Sequence, residues 1–445
     1  MLSKLKSVGK DTATKLVSTS KGKLQNIRSK AAKGPAGNDH LVALDIGTEY
    51  IKALIGKINP DGSIDVVGVG RKHQALSDMQ AGAIADIAGV VENCDAALNE
   101  AEQQAGVSVR PAIIGIAGEL VKGTTTTIRV ARKTADKTID LEEMEQIIRL
   151  VQQRAEARAK QQLAWEMGGK EVAIRLVNSA LVSIEIDGYP VTNPIGFQGK
   201  DVVIQLYTAF APMIHIGALE KTAEELDLDL IAVAAEPFAV ARAVIGDKQN
   251  QNLSAILMDV GGGTTDIAVV DDGGVQGTKM FGIGGRAYTH AVARDMDVTF
   301  EQAETLKLGY GNNQLPPQKR PAVETALEKT ADVWLSGIEL ALAEFPKLDH
   351  LPNRMFLCGG GASLSMLLDR LEGSDWYKSL PFTRRPSVNL IRPNQVVGIT
   401  DTTGKVNDHT YITAMGLLRV GLDTMQLSGS DGGSIREKLD RMLSV

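Results

Sequence analysis

At 445 residues with 43% hydrophobic positions, the chain is long enough to build two or more cored domains. A net charge of −6, 4% aromatic residues and two lone cysteines argue against a nucleic-acid-binding surface, a base-stacking platform and a disulfide framework, and suit a reducing cytoplasm. The charge is uneven: residues 1–38 carry nine Lys or Arg and one acid, Asp11, a net +8 that leaves −14 on the rest.

That basic stretch ends in a Gly-Pro-Ala-Gly turn at 34–37. Leu2, Leu5 and Val8 can share one helix side among Lys4, Lys6 and Lys10, which suits an anionic lipid surface. A solvated extension is the competing reading. No continuous apolar core follows the basic residues, so it is not a signal peptide, and no run approaches the length of a membrane span.

The folded part begins near His40. Residues 41–46 form a hydrophobic strand that enters a turn at Gly47-Thr48, and alternation resumes over 50–56. Asp45 stands at the end of the first strand. Asp61-Gly62 turns into a third strand over 64–70. A helix is expected over 82–105, with Val90, Val91, Cys94, Leu98 and Ala101 at helical spacing and Gly106 as its stop, which makes Cys94 a core residue. A strand over 110–117 follows. Asp140 with Glu143 makes a capping box for a second long helix lined by Ile147, Ile148, Val151 and Ala155. Residues 171–177, 181–186 and 202–209 read as strands, and 213–226 as a helix.

In the Ala234–Ala241 stretch a strand gives way to a helix with Pro237 in its first turn, placing Glu236 at the helix start. Glu236 is either a structural cap or the residue that positions an attacking water. The central stretch, 256–270, is strand, glycine turn, strand. Gly261, Gly262 and Gly263 let backbone N–H groups converge on an anion, Thr264 adds a hydroxyl, and Asp259 is placed to hold Mg²⁺ through water. Asp45 and Asp259 are 214 residues apart in like hairpins, which points to two related halves around one nucleotide. The Gly-x-x-x-x-Gly-Lys-Ser/Thr cradle is missing, so another phosphate site is needed.

Gly284 and Gly285 fall at a further helix start. Glu304 and Lys307 share a side of a helix over 300–311, where an exposed ion pair is the plain alternative. A long helix is expected over 323–345 with Trp334 in the core. Gly359, Gly360 and Gly361 form a third glycine turn after a strand, suited to close approach of an adenosine or phosphate. A closing helix is expected at 412–418. In the tail, Ile435, Leu439, Met442 and Leu443 can line one helix side, a weak surface anchor or a docked terminal helix.

The two hairpins resemble the phosphate loops of the actin and heat-shock-chaperone ATPases. Over about 41–422 the chain resembles the FtsA family of bacterial cell-division proteins: at 259–269, Gly284-Gly285, 304–311, Asn193-Pro194-Ile195-Gly196-Phe197 with Gly199, and 110–123 leading into an inserted subdomain. That resemblance implies an α/β, actin-like two-lobed ATPase fold with an inserted small α/β subdomain. It implies the divisions 1–39 (basic flexible extension), 40–110 (first-lobe core), 111–187 (a separately folding, unfixed insert), 188–205 (return to the first lobe), 206–384 (second lobe, with its own insertion near 285–345), 385–428 (return to the first lobe) and 429–445 (linker and short amphipathic segment). It assigns Asp45 and Asp259 to Mg²⁺, Gly47, Thr48 and 261–264 to the phosphates, Glu304 and Lys307 to the adenosine, and 359–361 to its far side. Glu236 falls where related ATPases orient water.

The implied function is an ATP-binding, filament-forming membrane adaptor in division at the inner face of the cell membrane, with other copies of itself, a tubulin-like division protein FtsZ and anionic lipid as partners, and no nucleic acid. Whether ATP is hydrolysed is left open. A pilus-assembly protein of the PilM type and a nucleotide-binding scaffold without turnover are the alternatives. A small-molecule kinase lacks an identifiable acceptor-activating residue, and a chaperone-like ATPase would need a peptide-binding domain where about 23 residues follow Leu422.

Overall fold

The computed structural model describes residues 39–119, 121–245, 253–345 and 348–429. The basic stretch 1–38 and the tail 430–445, where the membrane-facing segments are expected, lie outside the described residues.

Strand β1 (His40–Ile46) is buried along its length and pairs antiparallel with β2 (Tyr50–Ile58), which pairs with β3 (Ile64–His73). A short hairpin, β4 (Met79–Gln80) with β5 (Ala83–Ile84), precedes helix α1 (Ile87–Ala105). The helix expected from 82 therefore starts later. The hairpin takes the backbone of 83–84, and the Asp86 carboxylate accepts the Ala88 N–H at 3.0 Å, a side-chain cap that fixes the helix start. Strand β6 (Pro111–Ile116) lies parallel to β1.

The inserted unit consists of β7 (Lys122–Ala131), α2 (Leu141–Glu166), β8 (Ile174–Ile186), β9 (Tyr189–Pro190) and β10 (Asp201–Pro212). Asp140 caps α2 by accepting the Glu143 N–H at 2.8 Å, but the Glu143 side chain does not close the box. It pairs instead with the buried Arg132 guanidinium at 2.7 and 2.8 Å. The two strands expected at 171–177 and 181–186 are one, β8, because two register shifts against β10 carry the intervening polar residues through the ladder. Ile128, Met144, Ile148, Val151, Ile184 and Ile204 form its core.

Helix α3 (Met213–Glu225) leads to β11 (Asp229–Ala235), parallel to β6, and then α4 (Glu236–Ile245). The first sheet thus has the order β11-β6-β1-β2-β3-β17, its last strand being β17 (Ile399–Asp401). The second lobe holds β12 (Ala255–Val260), β13 (Thr265–Asp271), β14 (Gly274–Phe281), β15 (Arg354–Cys358) and β16 (Ser387–Leu390). Helices α5 (Gly285–Met296), α6 (Phe300–Gly311), α7 (Arg320–Ala343) and α8 (Ser365–Gly373) pack with them. The closing helix α9 (Ile412–Gly429) returns to lie on α4 and β1.

Strand pairing moves several expected boundaries. Pro111–Ile116 belongs to the first sheet and Asp201–Pro212 to the insert, so the insert runs from β7 through β10 rather than over 111–187. β11 keeps 229–235 in the first lobe, and β16 keeps 387–390 in the second. The insert is also not unfixed. Its β7 adds to the free edge of β14, making one nine-stranded sheet, β16-β15-β12-β13-β14-β7-β10-β8-β9. The Thr125 hydroxyl donates to Val275 O at 2.6 Å, and the Tyr207 and Thr278 hydroxyls lie 3.2 Å apart across that seam.

Trp334 is fully buried on α7, as its helical spacing predicts, and its indole N–H donates to the Thr265 hydroxyl at 2.9 Å. That hydroxyl donates in turn to Ile283 O at 2.7 Å. Trp334→Ala should therefore lower stability by about 3–5 kcal/mol, through the cavity and the lost hydrogen bond. Denaturant unfolding of the two proteins checks this.

Candidate functional site

The site is built where the two sheets meet. In the first hairpin, Asp45 on β1 stands directly across from Lys52 on β2. Both point inward, and the ammonium lies 2.8 Å from Asp45 Oδ2 with side-chain exposures of 12% and 4%. In the second hairpin, Asp259 on β12 stands across from Asp266 on β13. Glu236, the first residue of α4, is buried between them. Thr413 of α9 donates its hydroxyl to Asp259 Oδ2.

These groups line one cavity of about 310 Å³, within the range of small-molecule sites. Asp45, Gly47, Thr48, Glu236, Asp259, Gly261, Gly262, Thr264, Gly285, Glu304, Lys307, Gly359, Gly360 and Gly361 all face it. Gly263 and Gly284 are not among the lining residues; they serve the packing of the loops. A Cβ at Gly263 would come within 2.7 Å of the Thr48 hydroxyl oxygen, and one at Gly284 within 2.6 Å of Gly261 O. The two turns approach each other too closely for side chains. Gly359, with φ of +85°, lies against Asp259 and Val260 O, where a side chain would be both strained and crowded.

Glu304, half-buried, and Lys307, buried, are a structural pair as much as cavity wall. Their charges lie 2.8 Å apart, and the ammonium also donates to Gly285 O at 3.1 Å and to Thr289 Oγ1 at 2.9 Å. This ties α6 to the start of α5. Leu308, Gly311, Asn312, Ser363 and Leu364 complete that end.

Several lining residues escape the sequence reading. Lys52 and Asp266 are the important ones, and a period-two count along each hairpin places both opposite a named acid. Tyr50, Arg71 and His73 form the first-lobe rim, with the Arg71 guanidinium 3.8 Å over the Tyr50 ring. These come from β2 and β3 and carry no local signal.

The electrostatics are unbalanced. Four buried carboxylates, Asp45, Glu236, Asp259 and Asp266, surround one ammonium. Burial pushes Glu236 well above the usual carboxylate range, and Asp45, Asp266 and Asp259 add like-charge repulsion. Burial likewise raises Asp266, with Asp259 next in effect, and raises Asp259 against the pull of Thr413 and Lys52. Lys52 is opposed by its burial, yet its acidic neighbours, Asp45 first, hold its pKa above the ordinary value. Asp266 Oδ1 is buried with no hydrogen-bond partner. Among the described residues no three of His, Cys, Asp and Glu converge closely enough to ligate a metal directly. Such a donor set fits a hydrated divalent cation, held through its waters, better than a bare one.

The family model described as "Cell division protein FtsA" matches residues 256–416. FtsA of Pseudomonas aeruginosa is 26% identical over 428 residues, covering 89% of this chain and 94% of that protein. FtsA of Bacillus subtilis is 23% identical over 414 residues, covering 88% and 86%. Among solved structures, a chain of a PilM–PilN type IV pilus biogenesis complex superposes with a TM-score of 0.61 at 16% identity, covering 86% of this chain and 98% of that one, a likeness of fold. The chain is thus similar to FtsA proteins along most of its length and has a two-lobed, actin-like α/β architecture.

Proposed function

We propose that this FtsA-type, actin-like cell-division protein binds ATP with Mg²⁺ in the cavity between its lobes and assembles into filaments on the inner face of the cell membrane. The observation that carries the nucleotide reading is the pair of Asp-bearing glycine hairpins facing each other across one cavity, with an excess of buried carboxylate at its base.

On this reading the turns at 47–48 and 261–264 offer backbone N–H groups and hydroxyls to the phosphates. Lys52 supplies a positive charge at the same place. Bound Mg²⁺ would offset phosphate charge, with Asp45 and Asp259 holding its waters. The adenosine lies toward Glu304, Lys307 and the 359–361 turn. Hydrolysis, where it occurs, falls to Glu236, which orients a water by hydrogen bonding from the first turn of α4.

Attachment to the membrane is assigned to the two ends. Among the described residues no helix is long and apolar enough to cross a membrane. The +8 of residues 1–38 suits anionic headgroups, and residues 430–445 add a short apolar face. FtsZ as a partner follows from the family reading. The pilus-assembly alternative is supported by likeness of fold, whereas the sequence matches are to FtsA.

Liposome co-sedimentation with ATP and Mg²⁺, followed by electron microscopy, tests the adaptor reading. The full chain should bind anionic vesicles and form filaments on them. Removal of 1–38 or of 430–445 should reduce binding, and removal of both should abolish it. Binding that is unchanged by loss of 1–38, with the same salt dependence, removes the basic stretch as an anchor. Failure of the full chain to bind anionic vesicles overturns the membrane assignment.

A further inference from the structure

Arg286 sits in the first turn of α5, in the second lobe. Its backbone N–H donates to Gly262 O at 2.7 Å, and the preceding N–H, of Gly285, donates to Gly261 O at 2.9 Å. The N-terminus of α5 therefore grips the carbonyls of the second phosphate turn. The side chain of Arg286 reaches the other way. Its Nε donates to the Glu49 carboxylate, and Nη2 donates to Thr48 O at 2.7 Å. Nη1 is turned toward Met79 O at 3.3 Å and Leu76 O at 3.4 Å. All four acceptors belong to the first lobe, and the guanidinium side chain is only 13% exposed.

The partner acid is held from a second side. Glu49 Oε2 lies 3.3 Å from His73 Nε2 on β3. The Glu49 side chain also lies flat against Gly262, where a Cβ would come within 2.5 Å of its Cγ. One residue thus holds both phosphate turns, the second through its main chain and the first through its side chain. A planar guanidinium suits this task because it donates in several fixed directions at once, which an ammonium does not.

We propose that Arg286 is a positioning residue that straps the two lobes shut behind the phosphate turns and so sets how fast nucleotide leaves. This rests on the nucleotide reading above, but the strap itself does not need a ligand. The cavity is walled by both lobes, so parting of the hairpins at 45–52 and 259–266 widens it for a bound molecule to leave. Arg286 with Glu49 is a largely buried charged contact between the lobes that breaks when the hairpins part. Truncating one partner of such a pair acts mainly on the rate of dissociation.

The test uses the full chain in two arms. In the first, Ala96→Cys on α1 and Ser336→Cys on α7 place spin labels on exposed sites of the two lobes, while the native Cys94 and Cys358 are buried. Without nucleotide, the wild-type background should give a narrow distance distribution, and Arg286→Ala should broaden and lengthen it. Arg286→Lys, which keeps the charge but loses the fork, should fall between. In the second arm, stopped-flow release of a fluorescent ADP analogue with Mg²⁺ should be at least roughly tenfold faster in Arg286→Ala. Arg286→Ala and Glu49→Ala together should be less than additive, as for groups acting on one contact.

Glu49→Gln keeps the size of the side chain and serves if Arg286→Ala does not fold; it should lengthen the distances in the same sense. Unchanged distance distributions in the folded variants overturn the strap. If the wild type binds no nucleotide while the distances respond as expected, the strap stands and the nucleotide reading falls.

Discussion

Asp259→Asn should weaken Mg-ATP binding by roughly 100-fold while leaving the protein folded. The substitution is close to isosteric, and Asn Oδ1 still accepts the Thr413 hydroxyl that now bonds Asp259. What it removes is one negative charge from a buried set in which only Lys52 is positive. The loss should therefore be specific to the metal-bound nucleotide. Titration calorimetry with Mg²⁺ present should show the large difference, and the same titration with the metal chelated should show little. The same change should stabilise the ligand-free protein slightly at neutral pH, because burial raises the Asp259 pKa and makes its ionisation costly in the folded state. Unchanged Mg-ATP affinity in a folded Asp259→Asn protein would remove Asp259 from the metal site.

The two hairpins were legible in the sequence because a short-range rule controls them: an apolar strand, an acid at its end and a small-residue turn. Glu236 was legible for a similar reason, since Pro237 fixes the start of α4 beside it. The insert's limits were not. β6 is an apolar run and β7, β8 and β10 alternate only in part, so nothing local says which edge each joins; long-range pairing decides it. β7 joins β14 at Gly277 and Thr278, opposite Thr124 and Gly123, where two glycines offer no side-chain pattern to read. Arg286 and Glu49 are 237 residues apart, and nothing local to either announces the other. Lys52 and Asp266 lie between these cases. Strand register alone places them opposite Asp45 and Asp259, so a register count would have added both to the site.

The Glu236→Gln protein should lose about 100-fold or more in any ATP turnover, within the range of a positioned acid–base group, with much less change in ATP affinity. Its second expected effect concerns stability and needs no ligand. Burial first, then the charges of Asp45, Asp266 and Asp259, raise the Glu236 pKa well above its ordinary 4.5. Between about 4.5 and that raised value the folded protein keeps a proton that the unfolded chain has released. Folding is thus favoured by this group at low pH, and the benefit is lost as pH rises through the folded-state pKa. Glutamine cannot release a proton, so the variant lacks this slope. Thermal unfolding from about pH 5 to about pH 8, without nucleotide or Mg²⁺, should show wild type falling increasingly below Glu236→Gln as pH rises. Asp266→Asn should behave in the same sense, since burial and then Asp259 raise that carboxyl too. Added Mg²⁺ should narrow the gap at high pH, because a cation among the carboxylates favours the ionised form that the apo site resists. Parallel pH profiles for wild type and Glu236→Gln would mean that Glu236 is not held protonated by its surroundings. A turnover rate equal to wild type would remove it from the positioning of water, whatever the stability curves show.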